Sequence, residues 1–375
     1  MTRAPLRILY LIDKLQRAGA QVHLDQLTRH LDPGEFSVAV CCLMRGGPVA
    51  EGMRERGLPV DVLGLTTIYG PRAWLALAKL ARRLRRHRVN IVHTYLISAN
   101  IFGTLAARLA RGPAVVTTRR DVGISRNWRL RLAEEWVINP LADRVTVNSE
   151  AVAEAARRER NLGEDKLTLI PNGVDVGALD PARYPRDAIR REWGLGPDDL
   201  GVGAVGHLSP VKGHADLVDA AVRVCTEQPR TRFFLIGDGP LRHALEARAR
   251  SLGIGDRVTI TGVREDVARC VAMLDVVVLP SHSEGMSNAL LEAMALGRPV
   301  VATHVAGNAE LVQDGVSGRL VAVGAPEALA KAVLNLLADP ETARRLGCEA
   351  RRQVADRFPL ERVVARHQAL YRSLA

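Results

Sequence analysis

Short apolar runs alternate along this chain with stretches in which apolar residues recur every three or four positions. The run LRILYLI (6–12) stops at Asp13, and after the loop Arg17–Ala20 a helical spacing takes over from Gln21 to His30. FSVAVCCL (36–43) and the shorter PVDVLGL (59–65) are the next strand candidates. Between Trp74 and Arg88 the spacing is helical, with Trp74, Leu77, Ala81 and Leu84 on one face. NIVHTYL (90–96), AVVTT (114–118), ADRVTVNS (142–149) and KLTLIPN (166–172) follow as strands, with helices predicted over 99–111 and 151–160. Strands that alternate with helices predict βαβ units and a mostly parallel sheet.

The pattern breaks over 176–200, where Asp180-Pro181, Tyr184-Pro185 and Gly196-Pro197-Asp198-Asp199 carry turn chemistry. It then resumes with GVGAVGHL, RFFLIG, RVTITG, VVVLPS, PVVAT and GRLVAV as strands. The expectation is an α/β chain of two Rossmann-like domains facing across a cleft, one over 1–178 and one over 190–355. A last helix, 357–375, is expected to pack back on the first domain. A length of 375 residues suits two cores. Ligands of open parallel sheets bind beyond the carboxyl ends of the strands.

Composition narrows the class. Hydrophobic content of 47% and charged content of 25% are ordinary for a globular protein. The five cysteines are odd in number and form no C-x-x-C pair, which argues against a disulfide framework or structural zinc and for a reducing, cytoplasmic setting. The N-terminal apolar run is too short for a membrane span and lacks a cleavage site, so it reads as a first strand.

Charge adds a second theme. Residues 1–190 hold 30 Lys and Arg against 19 Asp and Glu, whereas 191–375 hold 22 of each. Arg82-Arg83-Leu84-Arg85-Arg86-His87-Arg88 closes the helix that begins near Trp74, and Arg126, Arg129 and Arg131 accompany Trp128 and Trp136. Two readings stand for these stretches: a solvated helix face, or a surface drawn to anionic lipid on the inner face of the cytoplasmic membrane. No aromatic platform or reading motif points to nucleic acid.

The richest chemistry lies in Leu279–Thr303. A strand ends near Ser281, a polar loop carries Glu284 and Gly285, and Ser287 has N-cap chemistry for a helix that Gly297 and Pro299 stop. The amides of Asn288, Ala289 and Leu290 at that helix start, with the helix dipole, suit a diphosphate. Glu292 in the second turn leans back toward the helix mouth, where its carboxylate suits a ribose diol. Gly19, after the first strand, permits close backbone approach to an anion or marks a plain turn. His93 ends a strand, where it either lines an acceptor site or is structural. Gly237-Asp238-Gly239 lacks the third glycine of a dinucleotide fingerprint and reads as a strand–helix turn.

This segment resembles the E-x7-E signature of the retaining glycosyltransferases of family 4, also called group 1, which have the two-Rossmann GT-B fold. Gly206-His207-Leu208…Lys212-Gly213, Phe234–Pro240, Pro171-Asn-Gly-Val-Asp175, Ala142-Asp-Arg…Asn148-Ser149 and Gly307-Asn308…Glu310-Leu311 are also similar to that family. The resemblance is strong from about 142 onward and weak before. It implies a nucleoside-diphosphate sugar as co-substrate and no cofactor or metal, and the chain has no D-x-D triplet. It implies that Glu292 holds the ribose, Glu284 contacts the transferred sugar and Lys212 neutralises the diphosphate. Backbone amides of Gly285, Met286, Ser287 and Asn288 would meet sugar and diphosphate, and Val263-Arg264 the base, mainly through backbone. Acceptors of this class are lipid-linked or saccharide, and the product is envelope or extracellular polysaccharide or glycolipid. His207 stands where the family has an Arg beside the phosphates. Arg119 stands near the family's sugar-contacting His and takes its place among the catalytic candidates. Arg120, beside it, is a candidate for an anionic acceptor or the donor phosphates; the alternative is a surface pair. A sugar-nucleotide epimerase and a non-catalytic carbohydrate- or anionic-lipid-binding protein are the rival readings.

Overall fold

The computed structural model describes residues 4–123 and 128–375. The chain divides into two compact units, Met1–Asn172 with Glu361–Ala375, and Gly173–Leu360.

The first unit is built on a parallel sheet of strands β1 (Leu6–Lys14), β2 (Phe36–Arg45), β3 (Val60–Val62), β4 (Ile91–Tyr95), β5 (Ala114–Arg119), β6 (Arg144–Val147) and β7 (Leu167–Leu169). Their order is β3-β2-β1-β4-β5-β6-β7. The two-residue period of a strand sorts their side chains between faces. Leu9, Leu11, Val92, Val115 and Val145 share one core with the helices Pro71–Arg86 and Ile97–Ala110. On the opposite face Tyr10 pairs with His93, and Tyr95 with Thr118. Helices Gly19–His30 and Leu360–Ser373 bring His23, His367 and Tyr371 to these residues.

The second unit has strands β8 (Leu200–Val205), β9 (Thr231–Ile236), β10 (Val258–Gly262), β11 (Val276–Leu279), β12 (Val300–Thr303) and β13 (Arg319–Val321). They run parallel in the order β10-β9-β8-β11-β12-β13. Both faces are covered, which is why these strands read as continuous apolar runs. Val202, Phe233, Val276 and Val278 face one helical layer, and Phe234, Val277, Leu279 and Ala302 face the other. In each unit the order reverses once, between β1 and β4 and between β8 and β11. Such a switch point opens a crevice at the carboxyl ends of the flanking strands.

Two expectations are corrected here. The turn-rich stretch 176–200 is not a linker outside both domains. Its helix Arg186–Glu192 buries Ile189 in the second core, and Arg190 reaches Asp275 at 2.9 Å. The second unit in fact starts earlier, where the Val174 amide donates to Phe358 O and Val174 O accepts from Leu360 N. In the Pro71–Arg86 helix the buried face is Ala73, Leu77, Leu80, Ala81 and Leu84, while Trp74 is 61% exposed. Trp74 sits three residues from Leu77, and Ala73 at four fits the apolar stripe better.

Candidate active site

The second unit's switch point lies between the loop after β8 and the loop after β11. Backbone contacts hold these loops together: the His282 amide donates to Val211 O at 2.8 Å. Gly213 has φ +64°, and a Cβ there would lie 1.9 Å from Pro280 O, so only glycine lets the two loops cross. On the far side a Cβ at Gly307 would lie 2.0 Å from Gly285 O. The Glu284-Gly285 loop is therefore walled by backbone on both sides. Thr303 Oγ1 donates to Ser281 O, and Asn308 Nδ2 donates to Thr303 O at 3.1 Å, fixing the loop's start.

Into this frame the structure brings Lys212 and Glu284. Lys212 Nζ donates to Glu284 Oε1 at 2.6 Å, and Ser281 Oγ donates to the same oxygen at 2.8 Å. The Glu284 side chain is 9% exposed and that of Lys212 29%. A cation and a carboxylate that hold each other this way form a site that a ligand can enter by exchange: an anion draws Lys212, and a hydroxyl donor takes up Glu284. Gly285, Met286 and Ser287 are buried in the same loop. Ser287 caps the helix Asn288–Ala295, its Oγ accepting from Leu290 N at 3.3 Å. The Leu290 amide is thus committed to the cap, which corrects its expected role as a diphosphate donor. The helix has no acidic residue in its first turn. Glu292 is its one charged side chain, half-buried where Leu290, Leu291, Ala293 and Met294 are buried.

Histidines surround Lys212. A Cβ on Gly206 would sit 3.7 Å from His214 Cε1 and 3.9 Å from Lys212 Cδ. Burial, with Lys212 and His207 nearby, pushes the His214 pKa down to about 4, so its ring is neutral beside the cation. His207 itself is exposed. His282 Nε2 and Asp216 Oδ2 are 2.7 Å apart. Ser281, His214 and the His282–Asp216 pair escaped the sequence reading, since a lone Ser or His carries no spacing signal. Val263 and Arg264 follow β10 on the same strand edge. Arg264 is taken up by a double hydrogen bond to Asp266 and lies 5.3 Å over the Trp193 ring, which leaves the backbone of that loop for contact.

The remaining candidates belong to the first unit. Gly19 starts the Gly19–His30 helix just after β1. Two assignments there are corrected. Arg119 is 2% exposed, with Nη1 2.5 Å from Glu159 and Nη2 donating to Asn139 Oδ1. Its place on β5 turns it inward, so it is an internal ion pair and offers no hand to a substrate. His93 is fully buried, Nδ1 2.8 Å from the Tyr371 hydroxyl and Nε2 2.7 Å from Thr118 Oγ1. Tyr371 OH lies 2.7 Å from Tyr10 OH, and Thr118 Oγ1 2.8 Å from Thr146 Oγ1. His93 therefore ties the C-terminal helix to the sheet and lines no acceptor site. Arg120, one residue on, is partly exposed and donates to Asn172 Oδ1 at 2.8 Å. Arg126 lies outside the described residues.

Comparison with known proteins agrees in both halves. Residues 17–178 match the profile of Glycosyltransferase Family 4, and 199–339 that of glycosyl transferases group 1. The chain is 31% identical over 321 residues to the D-inositol 3-phosphate glycosyltransferase of Segniliparus rotundus, covering 79% of this chain and 67% of that one. It is 26% identical over 381 residues to the UDP-Gal:alpha-D-GlcNAc-diphosphoundecaprenol alpha-1,3-galactosyltransferase of Escherichia coli, covering 98% and 96%. Anabaena Alr3699/HepE in complex with UDP-glucose superposes with a TM-score of 0.87 at 23% identity, over 98% of this chain and 100% of that one. The chain belongs to glycosyltransferase family 4 (group 1), and it is a retaining glycosyltransferase of the GT-B fold.

Proposed function

We propose that this enzyme moves a hexose from a nucleoside-diphosphate sugar, without a metal, to a lipid-linked or saccharide acceptor in envelope or extracellular glycan synthesis. The observation that carries the reading is the Lys212–Glu284 pair at the second unit's switch point, beside the Ser287-capped helix that holds Glu292. Lys212 and the helix dipole balance the diphosphate as it leaves, which is the task a metal performs elsewhere. Glu284, released from Lys212, accepts hydroxyls of the sugar, and Glu292 accepts the ribose diol. The bond from the anomeric carbon to the diphosphate breaks, a bond to the acceptor oxygen forms on the same face, and the acceptor proton passes to a phosphate oxygen. A uridine donor is supported by the galactosyltransferase that uses UDP-Gal and by the UDP-glucose complex of the structural neighbour.

Calorimetry with uridine, guanosine and adenosine diphosphate sugars tests the donor site. Glu292→Ala is expected to abolish binding of the donor that the wild type takes; unchanged affinity would remove the ribose role. Full activity in excess chelator is expected, and a strict metal requirement would overturn the metal-free site. Donor conversion with no acceptor present would favour an epimerase.

The acceptor reading has its own support. The galactosyltransferase relative acts on a diphosphoundecaprenol-linked sugar. The first unit carries the basic charge and exposes Tyr69, Trp74 and Leu75 at the start of the helix Pro71–Arg86, with Trp128 and Trp136 further on. Arg83 pairs with Asp61 and Arg85 donates to the Ala110 and Leu109 carbonyls, while Arg72, Lys79, Arg82 and Arg86 are exposed. This combination supports peripheral attachment to an anionic membrane, on the cytoplasmic side where the nucleotide sugar is made.

A further inference from the structure

The Arg120 guanidinium is a half-buried charge of the first unit that no carboxylate answers among the described residues. It follows β5 directly and is only partly exposed. Its one side-chain hydrogen bond goes to the neutral Asn172, and among the described residues no carboxylate pairs with it. Burial pulls the Arg120 pKa down to about 10. Other deeply placed arginines are answered differently: Arg119 has Glu159 and Arg190 has Asp275, while Arg298, which burial also pulls down to about 10, donates to the Ala272, Leu274 and Leu296 carbonyls.

The groups around it favour an incoming anion. Arg120 acts electrostatically on His23 and His367, which burial holds neutral, and on Tyr95. The fully buried Tyr95 hydroxyl has no hydrogen-bond partner of normal geometry. His23 stands in the second turn of the helix Gly19–His30, which has no acidic residue in its first turn. The cluster thus sets one cation beside neutral rings. An arginine fork matches two oxygens of a phosphate or carboxylate, a geometry no lysine offers.

We propose that Arg120 is the anion-recognition residue of the first unit and selects acceptors that carry a phosphate or carboxylate. This rests on the glycosyltransferase reading above and names the acceptor's chemical class. It fits the two relatives, whose acceptors are an inositol phosphate and a diphospho-linked sugar. The donor residues Lys212, Glu284 and Glu292 all belong to the second unit, so the two anion sites draw on different side chains.

The test is thermal melting of the full chain titrated with inorganic phosphate, in the presence and absence of saturating uridine diphosphate, for wild type, Arg120→Gln and Arg120→Lys. The expected result is a saturable rise in Tm with phosphate when uridine diphosphate is present. The apparent phosphate affinity should be at least about tenfold weaker in Arg120→Gln and partly recovered in Arg120→Lys. The uridine diphosphate response should be unchanged in both. The proposal is overturned if phosphate gives no saturable response in the wild type, or the same response in Arg120→Gln. It is equally overturned if Arg120→Gln loses the uridine diphosphate response, which would put Arg120 on the donor phosphates. Should Arg120→Gln not fold, Arg120→Lys decides: an affinity equal to wild type removes the fork. A wild type that ignores uridine diphosphate but still binds phosphate through Arg120 would sink the uridine donor and leave the anion site standing.

Discussion

At Gly213 two requirements fall on one residue. The backbone is left-handed at φ +64°, and the space a side chain needs is filled by Pro280 O. An alanine there meets strain of about 1–2 kcal/mol from the left-handed backbone alone. The overlap with a carbonyl adds about 1–3 kcal/mol, because main chain has to move. Gly213→Ala is therefore expected to lower Tm by several degrees and to weaken donor binding together, since the shifted backbone carries Lys212 on one side and the Glu284 loop on the other. Differential scanning fluorimetry with and without donor reads both effects. A Tm loss with donor affinity intact would mean that the Lys212–Glu284 pair does not depend on this crossing. The pair itself was only half legible from sequence. Helix periodicity and the Ser287 cap located the helix Asn288–Ala295, and the structure agrees on that cap. That Lys212 and Glu284 touch was invisible, because the contact joins two loops across a strand crossover and leaves no local pattern.

Elements meet in the first unit through rings that no periodicity foretold. His23 comes from the Gly19–His30 helix, His93 from β4, and His367 and Tyr371 from the helix Leu360–Ser373. Alternation on β4 marks His93 as one face or the other, but only the assembled sheet and two helices show that this face is closed. The reading of Arg119 failed for the same reason: its partners Asn139 and Glu159 lie on other elements. Burial holds the pKa of His23 and His93 well below the ordinary histidine value and that of His367 at about 4. The unfolded chain binds protons near pH 6.5, whereas these folded rings do not, so stability is complete above that value and falls as the pH drops toward 4. His367 alone accounts for about 3 kcal/mol across that window. The Arg120 charge, which acts on two of the rings, works in the same direction. Chemical denaturation at pH 7.5 and at pH 5 should show the loss. Tyr371→Phe should cost about 1–3 kcal/mol at either pH, because Tyr10 and His93 both lose a buried partner. A stability that is flat from pH 7.5 to 5 would mean that these rings are not held neutral.

On the scale of the whole molecule, charge and exposed aromatics are sorted together. The first unit holds 30 Lys and Arg against 17 Asp and Glu, and the second 22 against 24. Every exposed aromatic among the described residues belongs to the first unit: Tyr69, Trp74, Trp128 and Trp136. Among the described residues no helix is long and apolar enough to cross a membrane, and this charge and these rings suit the interfacial attachment proposed above. Such attachment has two separable components. Basic side chains near an anionic surface contribute about 1 kcal/mol each and fade as salt shortens the screening length from about 10 Å at 0.1 M to about 3 Å at 1 M. Buried Trp and Leu side chains contribute about 1.5–3 kcal/mol each and are insensitive to salt. The full chain is therefore expected to sediment with vesicles that contain phosphatidylglycerol and much less with phosphatidylcholine alone. High salt should release most of it. Trp74→Ala with Leu75→Ala should weaken binding by about tenfold or more at low salt while leaving the salt slope unchanged. Arg82→Gln with Arg86→Gln should flatten the slope. These residues belong to the first unit and the proposed donor residues Lys212, Glu284 and Glu292 to the second, so donor affinity measured in solution should stay at the wild-type value in all four substitutions. Equal binding to neutral and anionic vesicles would remove the electrostatic component, and no binding to either would leave the basic face as ordinary solvated surface.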